Sequence, residues 1–377
     1  MSGFDFQPRT RVVLGSRAVD RAGELARQLG FRRSLVVADP GIVASGHAAR
    51  VVSALGDARI EIHLTTEVRV NPDSDMVARG AALAAPLRID SIVAVGGGSS
   101  LDLAKGINFL LTNGGTMADY RGYGKASTPL LPMIGIPTTA GTGSEAQSYA
   151  VIADAATHMK MACGDPTAAF RVAILDPDLT ASAPRAVTAV AGFDAIAHAI
   201  ETSVTTRRTA LSDLVAERAW TLLEGAYQRV LSAPDDAEAR AAMMLGAHLA
   251  GMAIEQSMLG AAHACANPLT ARFNVMHGLA LAILLPHVVR WNGPVVSHRY
   301  ADLLGPDRRS LDPAGALAQR LEEMTSAAGL RLTLRDAGVT AEAIPELAGL
   351  AAQQWTGAFN PRPFDASGAE QIYRAAF

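Results

Sequence analysis

Asp194 and His198 stand four residues apart in the stretch Gly192 to Glu201, with neither glycine nor proline between them. On an α-helix that spacing puts a carboxylate and an imidazole on one face, a turn apart. Side chains of these two types can together hold a divalent cation. Two more histidines follow: His263 in His-Ala-Cys-Ala-Asn-Pro and His277 in Met-His-Gly. Three imidazoles and one carboxylate make a mononuclear site with room for a substrate oxygen. Taken alone, the Asp194–His198 pair is more often a contact on a solvated helix face. The rest of the chain has to decide.

Two polar loops raise a second kind of chemistry. Gly96-Gly97-Gly98-Ser99-Ser100-Leu101-Asp102-Leu103-Ala104-Lys105 runs from an apolar strand directly into a helical stretch. Glycine backbone lets a ligand approach closely, and a helix N-terminus offers free N–H groups and positive potential, which suits a pyrophosphate. The usual dinucleotide fingerprint is incomplete, because Leu101 stands where its third glycine belongs, and the ending is not that of a Walker loop. A tight strand-to-helix turn with a serine cap explains the same residues equally well. The second loop, Pro137-Thr138-Thr139-Ala140-Gly141-Thr142-Gly143-Ser144-Glu145, is rich in hydroxyls and also follows a strand. By itself it also fits a capping turn. Two such loops at the carboxyl ends of strands in one sheet point to a ligand edge. Asp39 ends another strand on that side, where it can accept bonds from ribose hydroxyls or serve as a turn residue before Pro40.

The elements that carry these residues change character along the chain. Apolar strands at 11–15, 34–40, 59–64, 91–95, 133–137 and 172–177 alternate with helices at 19–29, 41–55 and 74–85, the pattern of a parallel sheet with helices on both sides. From about Thr180 strand signals nearly vanish. Helical stretches follow at 186–203, 209–231, 236–258, 278–291, 314–327 and 341–354, with prolines such as Pro234, Pro268, Pro286 and Pro313 read as breaks between them. The expectation is an α/β dinucleotide-binding domain over 1–183 and an all-helical domain over 184–377.

Composition excludes several functions. With 377 residues the chain has room for two domains. A net charge of −3, spread without runs, gives no footprint for nucleic acid or anionic membrane. Cys163 and Cys265 are too few and too far apart for a disulfide framework or a zinc ribbon. No apolar leader is visible at the N-terminus, and runs such as 279–285 are too short to span a bilayer. The expected setting is the cytoplasm.

Together, in this order, the motifs resemble the iron-containing, metal-dependent (group III) alcohol dehydrogenase family. The likeness runs from Val12-Val13-Leu14-Gly15 to Asn360-Pro361-Arg362, and Leu285-Pro286-His287 fits the run after the last histidine. The resemblance implies that Asp194, His198, His263 and His277 ligate Fe²⁺, or Zn²⁺ in some members. It implies that Gly97, Gly98 and Ser99 bind the pyrophosphate of NAD, with Asp102 near the nicotinamide. Thr138, Thr139, Thr142, Lys160 and Leu179 would line the cofactor, and Asn267, His277 and Lys160 would be the catalytic positions. Asp39 matches a position where an acidic group favours NAD over NADP, a soft preference. The implied reaction interconverts a small primary alcohol and its aldehyde by hydride transfer, the cation polarising the substrate oxygen. A homodimer or larger homo-oligomer is usual for the family.

One position departs. Many members carry a histidine four residues after the third ligand, where this chain has Asn267. Asparagine bonds but does not titrate near neutrality, so proton relay and substrate preference are expected to differ. Cys265 reads as a buried filler rather than a reactive thiol. His47, His63, His158, His248 and His298 lack partner spacing, while His287 is either a helix cap or a site residue. Two alternatives stand beside the dehydrogenase. One is a lyase of the dehydroquinate synthase type, which needs more lysine and arginine than this region offers. The other is a non-catalytic NAD-binding protein.

Overall fold

A computed structural model of the chain describes residues 4–308, 310–331 and 333–377. The described residues form two compact units, Asp5–Ala183 and Pro184–Phe377.

The first unit holds strands β1 (Arg11–Leu14), β2 (Arg33–Ala38), β3 (Glu61–Thr65), β4 (Ser91–Gly96), β5 (Gly122–Tyr123), β6 (Met133–Pro137), β7 (Tyr149–Ala153), β8 (Lys160–Gly164) and β9 (Val172–Leu175). Its helices are α1 (Ala22–Gln28), α2 (Pro40–Ala44), α3 (His47–Asp57), α4 (Ser74–Ala84) and α5 (Gly98–Asn113). Six strands make one parallel sheet in the order β1-β9-β6-β4-β2-β3. Every residue of β4 and β6 is buried, whereas edge strand β1 buries only Val13. Central parallel strands are covered on both faces, so they read as continuous apolar runs. Two apolar cores result, one around Val36, Val93, Ile134 and Leu25, the other around Leu35, Ile92, Leu101 and Phe170. After β2 the chain lays β3 on one side and β4 on the other. That reversal opens a crevice at the carboxyl ends of β2 and β4, where such sheets take ligands.

The second unit is helical: α6 (Arg185–Thr202), α7 (Ala210–Ser232), α8 (Ala237–Ser257), α9 (Ala261–Phe273), α10 (His277–Leu304), α11 (Pro313–Ala327), α12 (Ile344–Ala352) and α13 (Ala366–Ala375). Residues 192–202 of α6 are all buried, so it is a core helix. Tyr227 of α7 packs edge-on to Phe193 and donates its hydroxyl to the Ala189 carbonyl.

Several expected elements differ. The stretch 41–55 is two helices, because Gly46 turns the chain at φ +81°. Between β6 and β9, where the sequence suggests no strand, β7 and β8 form an antiparallel pair, with β5 beside β8. Pro268 is no break: it lies inside α9, a helix not anticipated from sequence. Proline removes one helical N–H, and a buried helix tolerates that when neighbours hold it. Here the Tyr373 hydroxyl donates to the Cys265 carbonyl in the same turn. Pro286 likewise lies inside α10, which runs past residue 291 to Leu304 with non-helical backbone at Val296. The apolar run at 279–285 thus belongs to a helix long and apolar enough to cross a membrane, but 72% of its most apolar window is buried within the protein. It is a core helix.

Candidate active site

Burial of α6 settles the reading of Asp194 and His198: they face the interior and not solvent, each 5% exposed. Three helices bring imidazoles to one carboxylate oxygen. His198 Nε2, from the same helix, lies 3.3 Å from Asp194 Oδ1. His263 Nε2, from the first turn of α9, lies 3.6 Å away, and His277 Nε2, at the start of α10, lies 3.9 Å away. The His198 and His263 rings stack at 4.7 Å between centroids, and His277 is 5.2 Å from His263. Donor atoms of Asp194, His263 and His277 all fall within 4.8 Å of one another.

These spacings are those of ligands around a common centre. Nitrogen and oxygen donors bound at about 2.1 Å to a tetrahedral cation stand about 3.4 Å apart. Asp194 Oδ1 and His263 Nε2 are buried and make no hydrogen bond among the described residues. An unsatisfied buried acceptor is costly unless something else completes it. The donor set therefore fits a divalent cation. Burial would raise the Asp194 carboxyl, but His198, His263 and His277 hold it well below the usual carboxylate range. Burial would lower the His263 imidazole, yet Glu201 and Asp194 bring it up to about 9.

The placement of α10 depends on Gly278. A Cβ there would meet the Val190 carbonyl oxygen of α6 at 2.0 Å. Glycine lets the two backbones touch, and that contact carries His277 to Asp194.

Asn267 lies one turn beyond His263 on α9, 8% exposed, and donates through Nδ2 to Gln354 Oε1 at 3.2 Å. Glu201, which sequence reasoning left without a role, is buried and sits 2.5 Å from His263 Nδ1. Its signal was available: Asp194, His198 and Glu201 recur at i, i+4 and i+7, one helical face. His287 falls within α10 near the Arg290–Glu322 pair, apart from the Asp194 cluster. Cys265 is fully buried, and burial pushes its thiol far up, as befits a filler.

The polar loops of the first unit lie at its crevice. Asp39 follows β2 and caps α2, accepting from the Ile42 amide at 3.0 Å. Its other oxygen accepts from Ser100 Oγ at 3.4 Å. Asp39 thus serves as the turn residue before Pro40, with its second oxygen on Ser100 at the start of α5. Gly96 has φ +146°, and a Cβ there would strike Ser100. A Cβ on Gly98 would lie 2.6 Å from the Thr142 methyl group, so the two loops press against each other. Thr138 donates its amide to the Gly96 carbonyl, and a Cβ on Gly97 would lie 3.3 Å from the Thr139 hydroxyl. The Ser99 hydroxyl accepts from the Asn71 amide.

Deeper, Ser144 donates to Asp102 Oδ1 at 2.7 Å. Burial raises the Asp102 carboxyl, against the pull of Lys105, Ser144 and Lys160. Lys160, at the start of β8, thus acts on Asp102 through its charge, opposite Ala153 of β7. Leu179 is wholly buried and belongs to the same apolar core as Val36, Val95 and Ile136.

In the sequence Lys105 stands only as the end of a motif. It is fully buried, and its ammonium donates to the Ser144 carbonyl and hydroxyl and to the Gln147 and Tyr149 carbonyls, at 2.7–3.1 Å. One cation thereby pins the second polar loop to α5. Lys105→Met leaves those oxygens without their donor. A loss of about 3 kcal/mol is expected, within the range for removing one partner of a buried charged network. Urea unfolding would measure it, and weaker NADH binding, followed by fluorescence, should accompany it.

Residues 8–177 match the family described as iron-containing alcohol dehydrogenase, and residues 188–377 match the C-terminal domain of the Fe-containing alcohol dehydrogenase family. Alcohol dehydrogenase 4 of Schizosaccharomyces pombe is 34% identical, over 93% of this chain and 83% of its own. The NAD-dependent methanol dehydrogenase of Bacillus methanolicus is 31% identical over the full length of both. A crystal structure of 1,3-propanediol oxidoreductase superposes with a TM-score of 0.96 at 31% identity, covering both chains completely.

Proposed function

We propose that this chain, which belongs to the iron-containing alcohol dehydrogenase family, interconverts a small primary alcohol and its aldehyde using a nicotinamide cofactor and a divalent cation. The observation that carries the reading is the convergence of three imidazole nitrogens on Asp194 Oδ1, between 3.3 and 3.9 Å, in a buried site. Asp194, His198, His263 and His277 would hold the cation, Fe²⁺ or, alternatively, Zn²⁺. The bound cation supplies Lewis-acid polarisation of the substrate oxygen, and the nicotinamide supplies or accepts the hydride.

The protein's own groups supply position and field. Asp194 brings one negative charge to a donor set that is otherwise neutral when its histidines are deprotonated. The Gly97, Gly98 and Ser99 amides, at the N-terminus of α5, suit the pyrophosphate. Thr138, Thr139 and Thr142 pack along that loop and would line the cofactor, with Asp102, held by Ser144, toward the nicotinamide. Lys160 would contribute charge there. Asp39 next to Ser100 would repel a 2′-phosphate, which favours NAD over NADP.

Asn267 would touch the substrate side of the site without titrating. Asn267→His is expected to add an ionisation near the ordinary imidazole range of about 6.5 to the pH dependence of kcat/KM. Stopped-flow rates across the neutral range would reveal the added limb, and an unchanged profile would remove Asn267 from the reaction path.

The decisive assay is NADH oxidation with a panel of short aldehydes, run anaerobically with Fe²⁺, then with Zn²⁺, and with a chelator. Chelator-sensitive turnover on any aldehyde is the expected result. Stoichiometric metal and bound NADH with no turnover on any member of the panel would overturn the alcohol–aldehyde assignment.

A further inference from the structure

Glu201 is 3% exposed at the end of α6 and carries two separate bonds into α9. Its Oε2 stands 2.5 Å from His263 Nδ1. Its Oε1 accepts from the Ala262 amide at 2.6 Å. Beside it, Asn360 Oδ1 accepts from the Ala261 amide at 3.1 Å and is itself held by Asn292. Two oxygen acceptors therefore cap the first turn of α9, where free amides and the helix dipole favour negative charge. Gly260 makes room for both. A Cβ there would come within 2.9 Å of Asn360 Oδ1 and 3.1 Å of Glu201 Oε1.

The ring between these groups has one orientation that satisfies them. A carboxylate is acceptor-only, so Nδ1 must carry the proton that Glu201 receives. The other nitrogen, Nε2, is then the one directed at Asp194, and among the described residues it has no hydrogen-bond partner. Carboxylates placed behind ligating histidines fix tautomer and ring orientation and strengthen the ligand.

We propose that Glu201 is a positioning residue that locks His263 with Nε2 toward the cation, through the hydrogen bond from Nδ1. The inference rests on the reading of Asp194, His198, His263 and His277 as ligands. Glu201 touches neither substrate nor cofactor in this scheme. It acts through His263, and its second oxygen fixes the turn on which that ring is mounted.

Glu201→Gln keeps the volume but offers one acceptor where two donors point. If its oxygen stays with the Ala262 amide, its NH₂ faces Nδ1, and the ring must move its proton to Nε2 or turn away. Metal affinity is expected to fall about 10–100-fold, the range for lost carboxylate support of a ligand. Affinity would be read by chelator competition with Zn²⁺. The visible absorption of the Co²⁺-loaded protein should shift, a signature that general loosening of the fold would not produce. Asn360→Ala is the comparison. It removes the neighbouring cap and should lower the melting temperature while leaving the Co²⁺ spectrum unchanged.

A third measurement needs no variant. In Zn²⁺-loaded wild-type protein labelled with ¹⁵N-histidine, His263 should be ligated through Nε2 and protonated at Nδ1. Ligation through Nδ1, or a Glu201→Gln protein with wild-type affinity and Co²⁺ spectrum, would overturn the proposal. Wild-type protein that takes up no Zn²⁺ or Co²⁺ would instead overturn the ligand assignment beneath it.

Discussion

An Asp194→Asn enzyme is expected to lose more than about 100-fold in affinity for its cation, beyond the roughly 10–100-fold that follows loss of an outer partner. Asn is nearly isosteric with Asp, so the three imidazoles keep their places while the charge they gather on disappears. The carboxylate is the single anion in the donor set, and it is buried, where screening is weak. Turnover should fall with it. Lewis-acid stabilisation of several kcal/mol corresponds to about 10²–10³-fold or more in rate, at about 1.36 kcal/mol for each factor of ten. Metal content after gel filtration and NADH oxidation at saturating aldehyde would measure the two losses. An Asp194→Asn protein that retains stoichiometric metal and near-normal kcat would remove Asp194 from the site.

Gly278→Ala should be damaging for a different reason. The added methyl would lie 2.0 Å from the Val190 carbonyl oxygen and 2.7 Å from its carbon. Both are backbone atoms of α6, so no rotamer change relieves the clash. Overpacking ordinarily costs about 1–3 kcal/mol, and rigid backbone on both sides puts this case at the upper end or above. A unit of this size moves about 2–4 °C in melting temperature per kcal/mol, so a drop of roughly 6–12 °C is expected. Because His277 is the adjacent residue, α10 also carries its imidazole away from Asp194, and metal content should fall in parallel. Gly225→Ala is the control. Among the described residues nothing lies within 4 Å of its added methyl, and it sits inside α7. There alanine should stabilise by about 0.5–1 kcal/mol.

The ligand candidates and both polar loops were legible in the sequence because their chemistry is written in residue type and local spacing. Asp194 and His198 share a helical face, and each glycine loop follows an apolar strand. Glu201 stands on that same face, three residues past His198, yet its purpose depends on where α9 begins. No local pattern announced α9, since Pro268 reads as a stop, and the contacts that hold the helix come from Tyr373, Asn360 and Glu201, all distant in sequence. Lys105 was hidden in the same way: its acceptors lie 39 to 44 residues further on. The β7–β8 pair escaped although its strands are as long as β3 and β6, because Tyr149-Ala-Val-Ile-Ala and Lys160-Met-Ala-Cys-Gly are rich in alanine, lysine and glycine, which are depleted in strands.

The candidate ligands of the Asp194 cluster come from α6, α9 and α10, and an ion bound among them would join three helices that the unfolded chain leaves separate. Such an ion is a reversible crosslink, and its occupancy becomes visible as heat resistance. Ligand at about 100 times its dissociation constant adds about 2.7 kcal/mol to the native state, and at about 1,000 times about 4.1. For a unit of this size these increments correspond to roughly 5–16 °C. Melting curves with Fe²⁺, Zn²⁺, Co²⁺ and Ni²⁺ at matched free concentration would therefore rank the cations by affinity before any substrate is known.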